Sequence, residues 1–205
     1  MSSRAVTKKS ASDKGIFIVM LVGGLLALIA ACVLSLEKIH LLQNPNATLS
    51  CSFNLVLNCS TVMQTWQSSV FFGIPNMFIG LMAFPVVIAI AVAGLSGVTF
   101  PRRFMVFAHI GYLLGTIFAY WLFFQSVYAI QVLCPWCLIV TFSCTLLFAA
   151  MTQYALRHNI YQFSKEIDKK IQNFMSKGYH KLIVASWIVL MIALVFLKFG
   201  SSLFA

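Results

Sequence analysis

The chain has 205 residues, of which 61% are hydrophobic and only 9% are charged, and its formal net charge is +10 at pH 7. Soluble domains are about one quarter charged, so this composition excludes an ordinary soluble domain and indicates an integral membrane protein built as one helical unit. Six cysteines are too few to hold together a small secreted scaffold but sufficient for a redox relay.

Five apolar runs meet or approach the roughly 20 residues that a helix needs to cross a bilayer. The runs are continuous and do not alternate, which predicts helices rather than strands. In chain order they are Ile16–Leu36, Ile74–Leu95, Phe104–Val127, Pro135–Tyr154 and Leu182–Phe199. The connecting loops are then Glu37–Gly73, Ser96–Arg103, Tyr128–Cys134 and Ala155–Lys181.

The first run has an alternative interpretation, because a basic stretch precedes it as in a signal peptide. The segment Ile29-Ala30-Ala31-Cys32 also resembles a bacterial lipoprotein cleavage box. We favour a spanning helix, since the run continues to Leu36 and reaches full spanning length. Cys32 is then expected to be a small buried core residue.

The basic residues orient the helices. All of them except Lys38 and Lys198 fall in the N-terminal tail, the second loop or the fourth loop. Because successive helices cross the membrane in opposite directions, these three segments lie on the same side. Cytoplasmic loops are enriched in lysine and arginine, so we predict a cytoplasmic N-terminus and an external C-terminus. The net charge is therefore a topology signal and an attraction to anionic lipid, and no nucleic-acid partner is expected.

The same alternation places two cysteine pairs on the outer side: Cys51 and Cys59 in the first loop, and Cys134 and Cys137 where the fourth helix starts. Cys134 is expected to cap that helix, with Pro135 at its first position. Free backbone N–H groups at a helix start stabilise a thiolate and lower its pKa. The C-x-x-C motif therefore predicts a disulfide-exchanging dithiol; a static disulfide or half of a zinc site are the alternatives.

A bound metal is not expected, because seven residues separate Cys51 from Cys59 and most zinc sites use about two to four. A relay explains both pairs, since a loop can meet a soluble protein and a helix terminus can meet a lipid-soluble molecule. The sequence has no dinucleotide fingerprint, haem-attachment motif or iron–sulfur spacing. A membrane quinone is therefore the expected two-electron acceptor.

Two further segments show helical amphipathicity. In the first loop, apolar Val62, Trp66 and Val70 recur every four residues, and polar Gln64, Gln67 and Ser68 occupy the other side. This pattern predicts a short surface helix that acts as a lid or as an interfacial anchor. In the fourth loop a similar pattern predicts a surface helix: Ile160, Phe163, Ile167, Ile171 and Phe174.

Three other features of the helices are interpreted as packing. Cys144 and His109 are expected to be buried bundle residues. Gly111 and Gly115 form a G-x-x-x-G pattern, which usually marks close helix packing.

Taken together, the cysteine motifs and the segment between them resemble the vitamin K epoxide reductase family. The resemblance covers roughly Ile16–Tyr154. Its motifs are Cys51-x7-Cys59 followed by Ser60 and Val62, then Gly73-Ile-Pro-Asn-Met-Phe-Ile-Gly80, then Cys134-Pro-Trp-Cys137. In the periplasmic disulfide-oxidase family that contains DsbB, the C-x-x-C motif precedes the other cysteine pair in the sequence. In this chain the C-x-x-C motif follows the other pair, Cys51 and Cys59.

This resemblance implies an all-α integral membrane fold, a four-helix transmembrane bundle around a quinone, with a fifth transmembrane helix added. By that analogy Cys51 exchanges with a thioredoxin-like partner, Cys59 passes electrons to Cys134, and Cys137 faces the quinone ring. Asn76 matches a family asparagine that hydrogen-bonds a quinone oxygen. Its alternative role is that of a helix-start residue after Pro75.

Thr141 lies four residues past Cys137, in the quinone-contacting position where the animal epoxide reductases carry a tyrosine. This departure favours simple quinone reduction over epoxide chemistry. Vitamin K epoxide reduction on the same scaffold remains the second hypothesis. A non-catalytic membrane protein with structural disulfides or zinc is the third.

The chain divides into a cytoplasmic basic tail (1–15), a catalytic domain (16–156) with an outer loop (37–73), a basic linker (157–181) and the fifth helix (182–205). Bacterial members of the family carry a fused thioredoxin domain after the fifth helix. Here the chain ends at Ala205, so the expected partner is a separate DsbA-like protein. The expected acceptor is menaquinone or ubiquinone, and the expected location is the bacterial inner membrane.

Overall fold

The structure, a computed structural model, describes the backbone of residues 2–45 and 49–203 and the side chains of residues 13–45 and 49–200. Helices make up most of these ranges, together with loops and isolated β-bridges. The helices are α1 (Ser2–Gln43), α2 (Cys59–Gln64), α3 (Asn76–Leu95), α4 (Arg102–Phe124), α5 (Pro135–Arg157), α6 (Lys165–Ser176) and α7 (Tyr179–Leu203). A 3₁₀ turn at Trp66–Ser69 follows α2, and a π-helical turn at Gln125–Ile130 follows α4.

The prediction of five membrane-spanning helices is confirmed, because α1, α3, α4, α5 and α7 are each long and apolar enough to cross a bilayer. The bounds of α1 differ from the predicted Ile16–Leu36, since the helix extends further at both ends. Residues 37–43 continue α1 rather than begin a loop. No glycine or proline interrupts the chain there until Pro45, which disfavours helical backbone in the residue before it.

Helix α1 is the centre of the bundle. It packs against α3 and against α5, and α4 packs against the other side of α5. Small residues allow this approach: a Cβ at Gly24 would lie 3.0 Å from Ile88 of α3, and one at Gly23 would lie 3.3 Å from Leu147 of α5. The spatial order is therefore α3, α1, α5, α4, and within the described residues no extensive interface joins α3 to α4.

The fifth spanning helix, α7, lies against α4 and α5. The Trp187 Nε1–H donates to the Tyr120 hydroxyl at 2.7 Å, and that hydroxyl shares a hydrogen bond with Thr145 Oγ1 at 2.6 Å. Farther along α7, Phe199 is buried in an apolar cluster that includes Leu133. Since Leu133 immediately precedes Cys134, α7 supports the end of the bundle that carries the C-x-x-C motif.

The two ends of the bundle differ in chemistry. One end, here called the cysteine end, consists of residues 49–75 and 125–134. The opposite end, here called the basic end, includes residues 96–101 and 155–178, and Asp13 ties α1 to α5 there through Arg157 at 3.2 Å and His158 at 3.1 Å. The surface helix predicted in the fourth loop is α6; Ile160 and Phe163 lie in the turns before it.

Two of the packing predictions hold and two are wrong. Cys144 and His109 are buried, and His109 hydrogen-bonds Thr152 at 2.9 Å and Tyr161 at 2.7 Å. Cys32, in contrast, is exposed, because the neighbouring positions Ala30 and Ala31 face the core. Gly111 and Gly115 do not mark close packing either, since a Cβ at either position would meet no atom within 4 Å.

Gly94 provides a direct test of how α3 packs on α1. A Cβ there would lie 2.4 Å from the ring of Phe17, which is buried and packs against Tyr154. Gly94→Ala should therefore lower the midpoint of thermal unfolding in detergent, since overpacking costs roughly 1–3 kcal/mol. Gly111→Ala is the matched control and should not lower the midpoint. Equal midpoints for the two variants would contradict this packing.

Candidate active site

The segment from Cys51 to Cys59 is a compact loop closed by a disulfide between these two residues. At its tip the Asn54 side-chain oxygen accepts the backbone N–H groups of Val56 at 3.0 Å and Leu57 at 2.7 Å. This local capping explains why the chain turns tightly at Asn54. Cys51 is only 2% exposed and Cys59 is fully buried, so the disulfide faces the bundle rather than solvent.

Backbone pairing at Leu133 holds this loop against the start of α5. The Leu133 N–H donates to the Val56 carbonyl at 2.7 Å, and the Leu133 carbonyl accepts the Asn58 N–H at 3.0 Å. Ser126 of the π-helical turn fixes the preceding residue, because its hydroxyl donates to the Val132 carbonyl and its carbonyl accepts the Val132 N–H at 3.2 Å. The two cysteine-bearing segments are thereby held in one register.

This register brings Cys134 Sγ to 3.4 Å from Cys59 Sγ. Cys134 and Cys137 are free thiols. Cys134 is the N-cap of α5, with Pro135 at the first helical position, as the sequence predicts. Its sulfur accepts the Cys137 backbone N–H at 3.4 Å. The arrangement places a free thiol within contact distance of the loop disulfide, close enough for exchange.

The environment of Cys134 favours the thiolate. A hydrogen bond from the Cys137 side chain lowers the pKa of the Cys134 thiol, and the backbone N–H groups of Cys137 and Trp136 lower it further, although burial acts in the opposite direction. These donors are the free N–H groups of the first helical turn, which stabilise negative charge. Cys134 is therefore both an activated nucleophile and a good leaving group in exchange with Cys59.

An apolar cavity of about 220 Å³ lies beside the C-x-x-C motif. Both Cys134 and Cys137 line it, together with residues of α1, α3, α4 and α5. It reaches the gap between α3 and α4, where Ala83 and Gly115 are among its lining residues. Within the described residues, no group of three or more His, Cys, Asp or Glu side chains is placed to hold a metal ion.

The segment after Cys59 covers this cavity at the cysteine end and is here called the lid, residues 59–72. The Trp66 and Trp121 rings contact each other at a tilt with centroids 6.0 Å apart, and the Phe71 ring lies 5.3 Å from that of Phe118 of α4. Lys38, at the end of α1, donates to the Met63 carbonyl at 2.6 Å. The lid thus rests on α1 and α4, and the predicted surface helix is replaced by α2 and a separate 3₁₀ turn.

The predicted orientation of the lid is wrong at two of the three residues that were expected on its polar side. Gln67 and Ser68 both line the cavity, and Gln67 is only 8% exposed. The reason is the break between α2 and the 3₁₀ turn at Thr65, which changes the angular position of every later side chain. Gln64, in α2, remains exposed.

Asn76 lines the cavity and begins α3 after Pro75. Its side-chain oxygen accepts the Val70 N–H at 3.2 Å, and its Nδ2 donates to the Gln67 carbonyl at 2.7 Å. The side chain therefore ties the lid to α3. One Nδ2 hydrogen remains for another acceptor.

Thr141 also lines the cavity and is buried. Its hydroxyl donates to the carbonyl of Cys137 at 3.0 Å, one helical turn earlier. This bond is the usual choice for a threonine inside a helix. It leaves Thr141 an acceptor toward the cavity rather than a donor.

Residues 18–152 match the sequence profile of the vitamin K epoxide reductase family. The match covers more than half of the chain and includes all four cysteines of the site, Asn76 and Thr141. It extends from α1 into α5 and therefore contains the cavity and its lid. No individual curated protein matched the chain.

The thiol of Cys134 should titrate below the ordinary value of about 8.5. In a protein with Cys32 and Cys144 replaced by alanine, the first inflection of thiolate ultraviolet absorbance should fall below that value. The thiolate is lost as the pH falls through its pKa, so a lowered pKa extends exchange to more acidic solutions. Cys137→Ala removes the thiol that donates a hydrogen bond to Cys134 and should raise the inflection. A parent inflection at or above about 8.5 would contradict the assignment.

Proposed function

Since the chain belongs to the vitamin K epoxide reductase family, whose members are membrane redox enzymes, we propose that it is a quinone-dependent protein-disulfide oxidoreductase. It takes two electrons from the dithiol of a separate thioredoxin-like, DsbA-type partner. It passes them through Cys51 and Cys59 to Cys134 and Cys137, and then to a membrane quinone, menaquinone or ubiquinone. The observation that supports this proposal most directly is the 3.4 Å separation of Cys134 Sγ from Cys59 Sγ at the wall of an apolar cavity.

The first half of the cycle reduces the loop pair. A partner thiolate attacks Cys51, forming a partner–Cys51 disulfide and releasing the Cys59 thiolate. The partner's second thiol then attacks the partner's first sulfur in that mixed disulfide and releases Cys51. The partner dithiol is then oxidised by two electrons, and Cys51 and Cys59 are both thiols.

The second half moves the electrons inward. The Cys59 thiolate attacks Cys134 of an oxidised Cys134–Cys137 pair, forming Cys59–Cys134 and releasing Cys137. Cys51 then attacks Cys59 and restores the loop disulfide, leaving Cys134 and Cys137 reduced. The bonding in the structure, with Cys51 joined to Cys59 and the other two free, corresponds to this point of the cycle.

A quinone would supply the terminal acceptor, since it takes up two electrons and two protons to give the hydroquinone while Cys134 and Cys137 become a disulfide. The site residues fit such a molecule. The cavity of about 220 Å³ is smaller than the roughly 300–1,000 Å³ of drug-sized pockets, so it suits a ring rather than a whole isoprenoid lipid. The gap between α3 and α4 leaves a path for a tail into the membrane.

Burial of the loop disulfide sets a condition on the partner. With Cys51 2% exposed, an attacking thiolate cannot reach its sulfur unless the loop 51–59 moves. Phe53 and Leu55 at its tip are 71% and 91% exposed, so a partner meets these side chains first. Cys134, only 1% exposed, is likewise shielded from small thiols in the surrounding water.

We place the basic end in the cytoplasm and the cysteine end outside a bacterial inner membrane. All the lysine and arginine side chains that the structure describes, except Lys38 and Lys198, lie in the basic end or directly beside it, and cytoplasmic loops carry such an excess. The outer compartment is also where disulfides are formed in exported proteins. Thr141, with no acidic hydroxyl to protonate an epoxide, supports quinone reduction over epoxide reduction.

Purified protein should reduce a soluble quinone analogue when supplied with a reduced thioredoxin-like protein, as followed by quinone absorbance. Replacing any one of Cys51, Cys59, Cys134 or Cys137 by alanine should abolish turnover, because each passes on the electrons of the previous thiol. Cys32→Ala, at an exposed cysteine outside the cavity lining, is the matched control and should retain it. No turnover by the parent protein would reject the proposed function.

The order of transfer is tested in the same system. A partner that keeps only its attacking cysteine, activated as a mixed disulfide with thionitrobenzoate, should form a stable adduct with the Cys59→Ala protein. The Cys51 thiol displaces thionitrobenzoate, and the neighbouring thiol that would otherwise release the partner is absent. Mass mapping should locate that adduct on Cys51. An adduct on Cys134 would contradict the proposed entry point.

A further inference from the structure

The cavity wall contains one polar atom that the fold does not satisfy. Gln67 lines the cavity and is 8% exposed, and its Oε1 is buried without a hydrogen-bond partner among the described residues. A buried amide oxygen left unpaired costs free energy, and native structures contain few of them. A group that recurrently occupies the cavity would remove this cost.

Other polar side chains at the wall are already engaged. The Asn76 amide holds the lid backbone through Val70 and through Gln67 itself, and the Thr141 hydroxyl donates to Cys137. The Ser126 hydroxyl donates to the Val132 carbonyl. Among the described cavity-lining residues, Gln67 is therefore the side chain with a buried polar atom that makes no hydrogen bond.

The surroundings of Gln67 fix its backbone but hold its amide weakly. The Asn76 Nδ2 donates to the Gln67 carbonyl at 2.7 Å, which anchors the residue to α3. Within the part of the chain that the structure describes, the side-chain Nε2 donates to Gln125 Oε1 alone, at 3.4 Å. Gln125 begins the π-helical turn, a feature frequent at functional sites.

We propose that Gln67 binds a ring oxygen of the quinone cosubstrate and, through Oε1, favours its hydroquinone form. The proposal rests on the proposed function. A hydroquinone presents two O–H donors, and Oε1 supplies the acceptor for one of them. A quinone carbonyl is an acceptor only, so it gains nothing from Oε1 and needs the amide to turn and offer an N–H.

This assignment also agrees with the direction of electron transfer. Oxidation of Cys134 and Cys137 to a disulfide releases two electrons and two protons, and the ring that receives them acquires the O–H groups that Gln67 recognises. The amide therefore stabilises the product that forms next to the C-x-x-C motif. The same hydrogen bond slows release of the hydroquinone. Gln67 therefore favours reduction of the ring but delays dissociation of the product.

Equilibrium binding of menadione and of its hydroquinone tests the proposal without turnover. The measurement uses Cys137→Ala protein, which cannot form the inner disulfide, under nitrogen, with tryptophan fluorescence as the signal. Gln67→Met, nearly equal in volume, should weaken hydroquinone binding about tenfold, the effect of one lost hydrogen bond, and should change menadione binding much less. Gln64→Met, on the exposed side of the same lid, should change neither.

Gln67→Leu serves as a second variant, and only variants whose thermal midpoint matches that of Gln64→Met are compared. If hydroquinone binds Gln67→Met as tightly as the control, a water satisfies Oε1 and the inference is overturned. If the parent neither binds nor reduces a quinone, the inference and the proposed function both fail. A Gln67-dependent hydroquinone site in a protein without thiol-driven turnover would uphold the site and overturn the proposed function alone.

Discussion

Two backbone hydrogen bonds at Leu133 position the chemistry of this protein. Cys59 and Cys134 are separated by 75 residues along the chain, and direct exchange requires their sulfurs to meet within contact distance. The bonds from Leu133 to Val56 and Asn58, at 2.7 and 3.0 Å, set that distance. Leu133 itself is fully buried in an apolar cluster that includes Phe199 of α7, which shields these bonds from water and makes them costly to break.

The second constraint is the separation of water from lipid at the C-x-x-C motif. Cys134 forms part of the boundary between the loop disulfide on one side and the apolar cavity on the other. Lys38 and Asn76 hold the lid over that cavity through backbone carbonyls. Because α3 and α4 pack on different partners, α1 and α5 respectively, the cavity has an apolar side facing the gap between them. One site can therefore serve a water-soluble thiol and a lipid-soluble acceptor in turn.

Much of this arrangement is predictable from sequence, because it depends on strong local signals. Five long apolar runs predict the spans, and Pro135 after Cys134 predicts the helix start that activates the thiol. Because successive helices cross in opposite directions, both cysteine pairs are predicted at the same end of the bundle. The 3.4 Å contact between Cys59 and Cys134 agrees with this prediction. Each of these conclusions follows from hydrophobicity, capping or chain parity, and none needs side-chain packing.

The features that sequence reasoning missed depend on tertiary contacts or on small changes of backbone angle. Gln67 was placed on the outer side of the lid because the periodicity assumed one continuous helix, whereas the break at Thr65 turns it inward. Cys32 was expected in the core, but Ala30 and Ala31 occupy the core-facing positions. The bond from Lys38 to the lid has no sequence signal beyond a charge at a helix end.

The central claim is that Cys59 and Cys134 meet directly, and a Cys51→Ala/Cys137→Ala protein tests it most simply. Of the four cysteines of the site, only these two remain, so mild oxidation should join them rapidly into one intramolecular disulfide identified by mass mapping. The account is contradicted if both thiols stay free under oxidation and an impermeant maleimide labels them from opposite sides of the membrane.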